Sequence, residues 1–228
     1  MPGGLTIWRE AVRVRYARLR FVWVQVAVAL VLAGGLTVVF FGLDHLNLAR
    51  HRAGVWMWDP CLVCEARLPY APAWIWVYLA YYPLCFAPLL LPEIRREPGF
   101  FWRIVGAYLM QFALCFAFFL LFPTRMTRPP AGGEGLARTA IEWTYLLDPG
   151  FNIFPSLHVS VLVFTSWLFG RFCGKAAGRA FWTATALIAA STLLVKQHCL
   201  LDLVAGAAVG TAANFASSPS AGGSAKPT

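Results

Sequence analysis

Six apolar runs, at about residues 21–43, 73–91, 104–122, 156–170, 180–195 and 199–215, dictate what this chain can fold into. A run of about 20 apolar residues makes a helix about 30 Å long, the thickness of a bilayer's hydrocarbon layer. Backbone amides in lipid find no water, so each segment must satisfy its own hydrogen bonds by coiling. The expected fold is an all-α integral membrane bundle of six transmembrane helices. At 59% hydrophobic and 13% charged, the chain is too apolar for a soluble domain. Its net charge of +9 does not indicate nucleic acid, because the cations fall in short clusters between the runs. Such clusters read as topology signals and as contacts with anionic lipid head groups.

Before the first run, Arg9, Arg13, Arg15, Arg18 and Arg20 accompany Trp8, Val12, Tyr16 and Leu19, which are spaced for one helical face. Residues 1–20 are therefore expected to form an amphipathic helix in the membrane interface. A cleaved signal peptide would have an apolar region of only about 7–15 residues. Residues 21–215 form the six-span domain, with kinks expected at Pro83 and Pro88 in the second span. A polar loop is expected at 44–72, and the longest polar stretch runs over 123–155. The tail 216–228, rich in Ser, Gly, Ala and Pro, reads as disordered. No repeat or second domain is evident. The N-terminal arginines, with Arg95, Arg96, Arg103, Arg171, Lys175 and Arg179, place both termini in the cytoplasm of a bacterial-type inner membrane. His158, His198 and the loop with Arg125 and Arg128 then share the extracytoplasmic face.

The stretch from Asn152 to Ser160 sets a polar corner, Pro155-Ser156-Leu157-His158, at the mouth of the fourth run. Pro suits the first position of a helix and Ser suits its cap, and a fresh helix start attracts a phosphate. His198 precedes Asp202 by four residues, so the two share a helix face and can hydrogen-bond. A carboxylate on one imidazole nitrogen makes the other a better base and nucleophile. Arg125, Arg128 and Lys196 lie at the same depth and suit an anion. Each cation alone has a plainer reading as a side chain snorkelling to the membrane surface. Each histidine alone has one as an interfacial residue. Together they suit phosphoryl transfer, with one histidine attacking and the other protonating the leaving oxygen.

At these residues the chain resembles the type 2 phosphatidic acid phosphatase superfamily. Its signatures are Lys-x6-Arg-Pro, Pro-Ser-Gly-His and Ser-Arg-x5-His-x3-Asp. Here Arg128-Pro129 ends the first, Pro155 to His158 matches the second, and Ser191-Thr192-x5-His198-x3-Asp202 matches the third, all in the same order. The resemblance implies that His198 attacks phosphorus to form a phosphohistidine, with Asp202 orienting it. It makes His158 the general acid and then the base, has Arg128 and the Ser156 region hold phosphate oxygens, and implies no metal or other cofactor. Three positions depart from the pattern: Leu121 stands for Lys, Thr192 for Arg and Leu157 for Gly. The Pro-Ser-Leu-His form is closest to the inositol phosphorylceramide synthase branch, which moves a phospho-head group between lipids. With two cations missing, a singly charged phosphodiester suits the site better than a terminal phosphate. The favoured substrates are thus a phospholipid donor and a lipid hydroxyl such as ceramide or diacylglycerol. Hydrolysis of a lipid phosphate is the alternative, and transport is a third reading.

Cys85, Cys115 and Cys173 read as small hydrophobes. Cys61 and Cys64 suit a local disulfide or two free thiols, a reading preferred over a zinc set with His45 and His51. Cys199 reads as filler in the core or toward lipid. Gln25 and Gln111, inside spans, are expected to hydrogen-bond between helices.

Overall fold

Where the apolar runs are continuous the backbone coils, and where proline interrupts them it breaks into short turns. The computed structural model describes residues 3–96 and 98–218, and among these there is no β-strand, only an isolated bridge between Trp58 and Thr124. Helix α1 runs Gly3–Arg52, followed by α2 (Ile75–Leu79), α3 (Tyr81–Cys85), α4 (Pro98–Leu121), α5 (Gly135–Leu147), α6 (Leu157–Phe172), α7 (Gly174–Leu194) and α8 (Leu200–Ser217). Four segments are long and apolar enough to cross a membrane: Arg20–Arg52, Pro72–Ile94, Gly99–Leu121 and Leu200–Ser217. The 16 residues of α6 are apolar but span only about 24 Å at 1.5 Å per residue.

Three boundaries differ from expectation. Helix α1 has no break at Arg20, so the N-terminal segment and the first span form one continuous helix, Gly3–Arg52. The side chains of its first turns, and the tail beyond residue 218, lie outside what is described. At its other end α1 continues to Arg52 instead of stopping near residue 43, because Asp44 and Asn47 lie one turn apart and turn inward, where both are buried. The long polar stretch contains α5, an amphipathic helix that buries Ile141 and Thr144. The second span is broken as its prolines foretold. It comprises turns at Pro72–Trp74 and Ala87–Leu90 with α2 and α3 between them.

The core holds Phe101, Ile104, Tyr108, Phe119, Leu162 and Phe164, all fully buried. Trp23, Val31 and Val38 on α1, by contrast, are exposed, as lipid-facing residues of a membrane helix would be. The two intramembrane glutamines tie segments together as expected. Gln25 donates to Leu89 O (2.7 Å), and Gln111 accepts from Ser160 Oγ (2.7 Å).

Helices α7 and α8 each pack closely on α6 through small residues. A Cβ on Gly206 would overlap the carbonyl oxygen of Ser156, and one on Gly210 that of Ser160. The Gly206-x3-Gly210 spacing thus lets α8 lie against the backbone of α6. Gly170 and Gly178 bring α6 and α7 together at the far end in the same way. The starts of α6 and α8 and the ends of α1, α4 and α7 therefore meet at one end of the bundle. The connections cover that end: Trp58 N donates to Pro123 O (3.0 Å), Ala71 N to Leu194 O (2.9 Å), and Arg50 to Leu120 O (2.8 Å).

Candidate active site

The segment before α6 is held from several sides. Asn152, at φ 34°, donates to Phe40 O (3.2 Å) and accepts from Asn47 (2.8 Å). Ile153 N donates to Thr124 Oγ1 (3.1 Å), and the Phe154 ring packs edge-on against Trp58. Ser156 caps α6, its Oγ accepting from Val159 N (3.4 Å), while its own N–H donates to Asp202 O (3.1 Å). This last bond joins the start of α6 to the first turn of α8.

The two histidines consequently face each other. His198 Nδ1 lies 3.3 Å from Asp202 Oδ2 and 3.1 Å from Ile153 O, and His198 Nε2 lies 3.1 Å from His158 Nδ1. Both neighbours of His198 Nδ1 are acceptors, so that nitrogen carries the proton and Nε2 presents its lone pair. His158 Nδ1 must then donate across the gap, which leaves His158 Nε2 bare. That atom is buried and has no partner among the described residues. Around it stand the rings of Tyr78 (centroids 5.0 Å apart) and Tyr81 (4.3 Å), both from the broken second span. Asp202 is fully buried, and its Oδ2 also accepts from Cys199 N (2.8 Å), closing the cap of α8.

The expected cations meet different fates. A cavity of about 490 Å³ opens on His198, walled by Lys196, Tyr70, Met126 and Pro129. Lys196, at φ 54°, lines it and donates to Leu68 O (2.8 Å). Arg128 is buried and already engaged. It bonds to Asp148 O and Asp148 Oδ1 and to Gln197 Oε1 (2.9 Å), and its guanidinium lies over the Tyr145 ring at 5.1 Å. Burial raises the Tyr145 phenol above its usual range, so it remains a donor, to Val195 O (2.9 Å). Arg125 is exposed and is not part of the cavity wall, and its backbone N–H pairs with Trp58 O.

Two expectations for the cysteines are corrected. Cys61 is disulfide-bonded to Cys199, not to Cys64, with Cα atoms 5.1 Å apart across 138 residues of sequence. Cys199 is thus a covalent tether immediately after His198 rather than filler. The zinc set does not assemble. Cys61 is consumed in the disulfide, His45 bonds within α1 to Phe41 O (2.8 Å), and His51 packs on Phe151. Among the described residues, the one group whose potential ligand atoms converge is Asp59, Cys61 and Cys199, two of which form that disulfide.

Sequence reasoning missed Glu65. It is buried, with one carboxylate oxygen accepting from Leu62 N (2.9 Å) and the other from Leu200 N (2.9 Å), so a distant loop caps the helix that carries Asp202. No spacing rule connects positions this far apart. Asp44, read from the sequence as the start of a polar loop, was missed as well: it is fully buried on α1, and its helical spacing to Asn47 is the signal that could have found it.

Comparison of the chain with protein-family models, characterised proteins and solved structures finds no match in any of the three.

Proposed function

We propose that this is a membrane phosphotransferase that moves a phospho-head group from a phospholipid to a lipid hydroxyl through a phosphohistidine. The observation that carries the reading is the chain of contacts Asp202–His198–His158 beside a cavity lined by Lys196. His198 Nε2 attacks phosphorus, the bond from phosphorus to the lipid oxygen breaks, and His158 delivers a proton to the departing alkoxide. The acceptor hydroxyl then attacks the phosphohistidine, His158 takes its proton, and the phosphorus–nitrogen bond breaks.

The charge balance supports a diester. Arg128 is matched by Asp148 and Arg125 does not line the cavity, so among the described residues Lys196 is the one Lys or Arg in its wall, and the Glu65 carboxylate stands in the same wall; so weak a positive field suits at most a singly charged phosphate. A terminal phosphate, with nearly two charges, would call for more.

The proposed topology has six crossings, both termini in the cytoplasm and the histidines on the extracytoplasmic side of a bacterial inner membrane. The disulfide supports this orientation, because Cys61–Cys199 sits at the histidine end of the bundle and such bonds persist in oxidising compartments.

The direct test incubates purified protein with a panel of phospholipids, with and without ceramide or diacylglycerol, and follows lipids by mass spectrometry alongside a phosphate assay. The reading expects a new phospholipid that appears only with the hydroxyl acceptor. Inorganic phosphate without a new lipid would make the enzyme a phosphatase acting on phosphatidate, phosphatidylglycerol phosphate or a polyprenyl diphosphate. No turnover of any lipid would overturn the reading.

A further inference from the structure

A second cavity, of about 560 Å³, lies at the opposite end of α6 from the histidines, walled by Arg171, Lys175, Arg179, Trp167, Trp182 and Asn214. Thirteen residues of helix separate His158 from Arg171, or about 20 Å, so the two cavities cannot share a ligand head group. Among the described residues lining this one none is acidic, and three are cations. Its floor exists because Gly170 and Gly178 let α6 and α7 nearly touch: a Cβ on Gly178 would stand 2.7 Å from the Gly170 Cα. Arg171 is fixed across the cavity rim, donating to Asn214 Oδ1 (3.3 Å) and Ser218 Oγ (2.9 Å), which holds the end of α8 in the wall. Trp167 and Trp182 pack edge to face with centroids 5.5 Å apart, and both keep an exposed edge. Paired indoles beside cations are the composition of a membrane–water boundary.

We propose that this cavity binds the phosphate of an anionic phospholipid from the leaflet opposite the histidines. The cations neutralise the phosphodiester, the indoles lie along the glycerol and upper acyl region, and Asn214 offers a neutral polar wall. Freely snorkelling cations would need no shared hollow and no fixed arginine, whereas here the three line one open hollow, with Arg171 held in place. The site is independent of the chemistry at His198.

The test is binding, not turnover. The full chain is placed in nanodiscs of phosphatidylcholine doped with phosphatidylglycerol, and retained lipid is counted by native mass spectrometry. Phosphatidylglycerol should be retained in preference to phosphatidylcholine. Lys175→Gln and Arg179→Gln should each reduce that preference about five-fold, the worth of one cation near an anionic surface. Arg138→Gln, an exposed cation elsewhere, should not change it. These side chains are exposed, so folding should survive, and an unchanged melting temperature checks this. Equal retention of the two lipids, or a preference unmoved by both variants, would overturn the proposal. A parallel arm adds glycerol 3-phosphate in solution: failure to displace the lipid supports a membrane ligand, and full displacement at micromolar concentration would show a soluble phosphate ester instead.

Discussion

His158 Nδ1 and His198 Nε2 face each other at 3.1 Å, with Asp202 Oδ2 3.3 Å behind His198 on the other ring nitrogen. In this arrangement the lone pair of the proposed nucleophile is covered by the N–H of the proposed acid. A phosphoryl group must therefore part the two rings, and His158 must gain a second proton on Nε2 before it can serve as an acid. Asp202→Asn keeps the side-chain shape but can turn an N–H toward His198 Nδ1, favouring the wrong tautomer. Activity should fall by up to roughly 10⁴-fold. His198→Ala should abolish turnover and the acid-labile phosphoprotein trapped by rapid quench. His158→Ala should slow turnover about 10²–10⁴-fold. Full activity in His198→Ala would dismiss the mechanism. Vanadate should inhibit the native protein, because its trigonal bipyramidal form mimics the phosphoryl group in flight.

The approach of α8 to α6 depends on the absence of side chains at Gly206 and Gly210, which face the carbonyls of Ser156 and Ser160. Those are backbone atoms and cannot swing aside. Gly206→Ala and Gly210→Ala should each cost about 1–3 kcal/mol of stability, read from thermal melts in detergent. Gly206→Ala should reduce kcat further, because it wedges apart the joint at which Ser156 N bonds Asp202 O. Gly210→Ala, one turn farther from the histidines, should affect stability more than rate. Two variants with unchanged melts would refute the close packing.

Features set by local periodicity were legible in the sequence. His198 and Asp202 are one helical turn apart, and Ser156 precedes a run that can only be helix, so both the pair and the cap follow from spacing. The prolines at 83 and 88 likewise announced a broken span. Contacts between distant segments were not legible. Arg128 finds Asp148 twenty residues on and Gln197 in another loop, so a cation that reads as a phosphate ligand is held by a half-buried carboxylate. Cys199, inside an apolar run, looks like filler until the fold brings Cys61 to it. The polar stretch hid α5 because its Pro and Gly density precedes a helix-forming segment, and α1 outran its apolar run because polar Asp44 and Asn47 face protein rather than lipid.

Arg128 offers a clean separation of structural from substrate-binding roles. Its partners are Asp148, Gln197 and the Tyr145 ring, and its side chain is only 6% exposed. Arg128→Ala should destabilise by about 3 kcal/mol, the lower end for breaking a buried pair, since Asp148 Oδ1 still accepts from Gly150 N (3.0 Å). Arg128→Lys should recover little, because one ammonium cannot reproduce the fork or the stacking. The double variant Arg128→Ala/Asp148→Ala should cost less than the sum of the two single changes. A substrate-binding Arg128 would show instead a raised KM with an unchanged melt.

The loop over 59–68 fixes the start of α8 twice, through the Cys61–Cys199 disulfide and through Glu65, which accepts from Leu200 N. A non-reducing digest should yield a linked pair of peptides carrying residues 61 and 199; a peptide linking residues 61 and 64 would overturn the assignment. Cys61→Ser should lower stability by about 2–4 kcal/mol, because the tether closes a long loop of chain. Reductant should do the same to the native protein and leave the variant unaffected. Glu65→Gln has one acceptor oxygen for two N–H donors, so it should lose about 1 kcal/mol, and Glu65→Ala more. His198 directly precedes the tethered residue. Loss of both restraints should therefore lower kcat more than the single changes together, and because Cys61 and Glu65 also line the cavity, KM should rise as well.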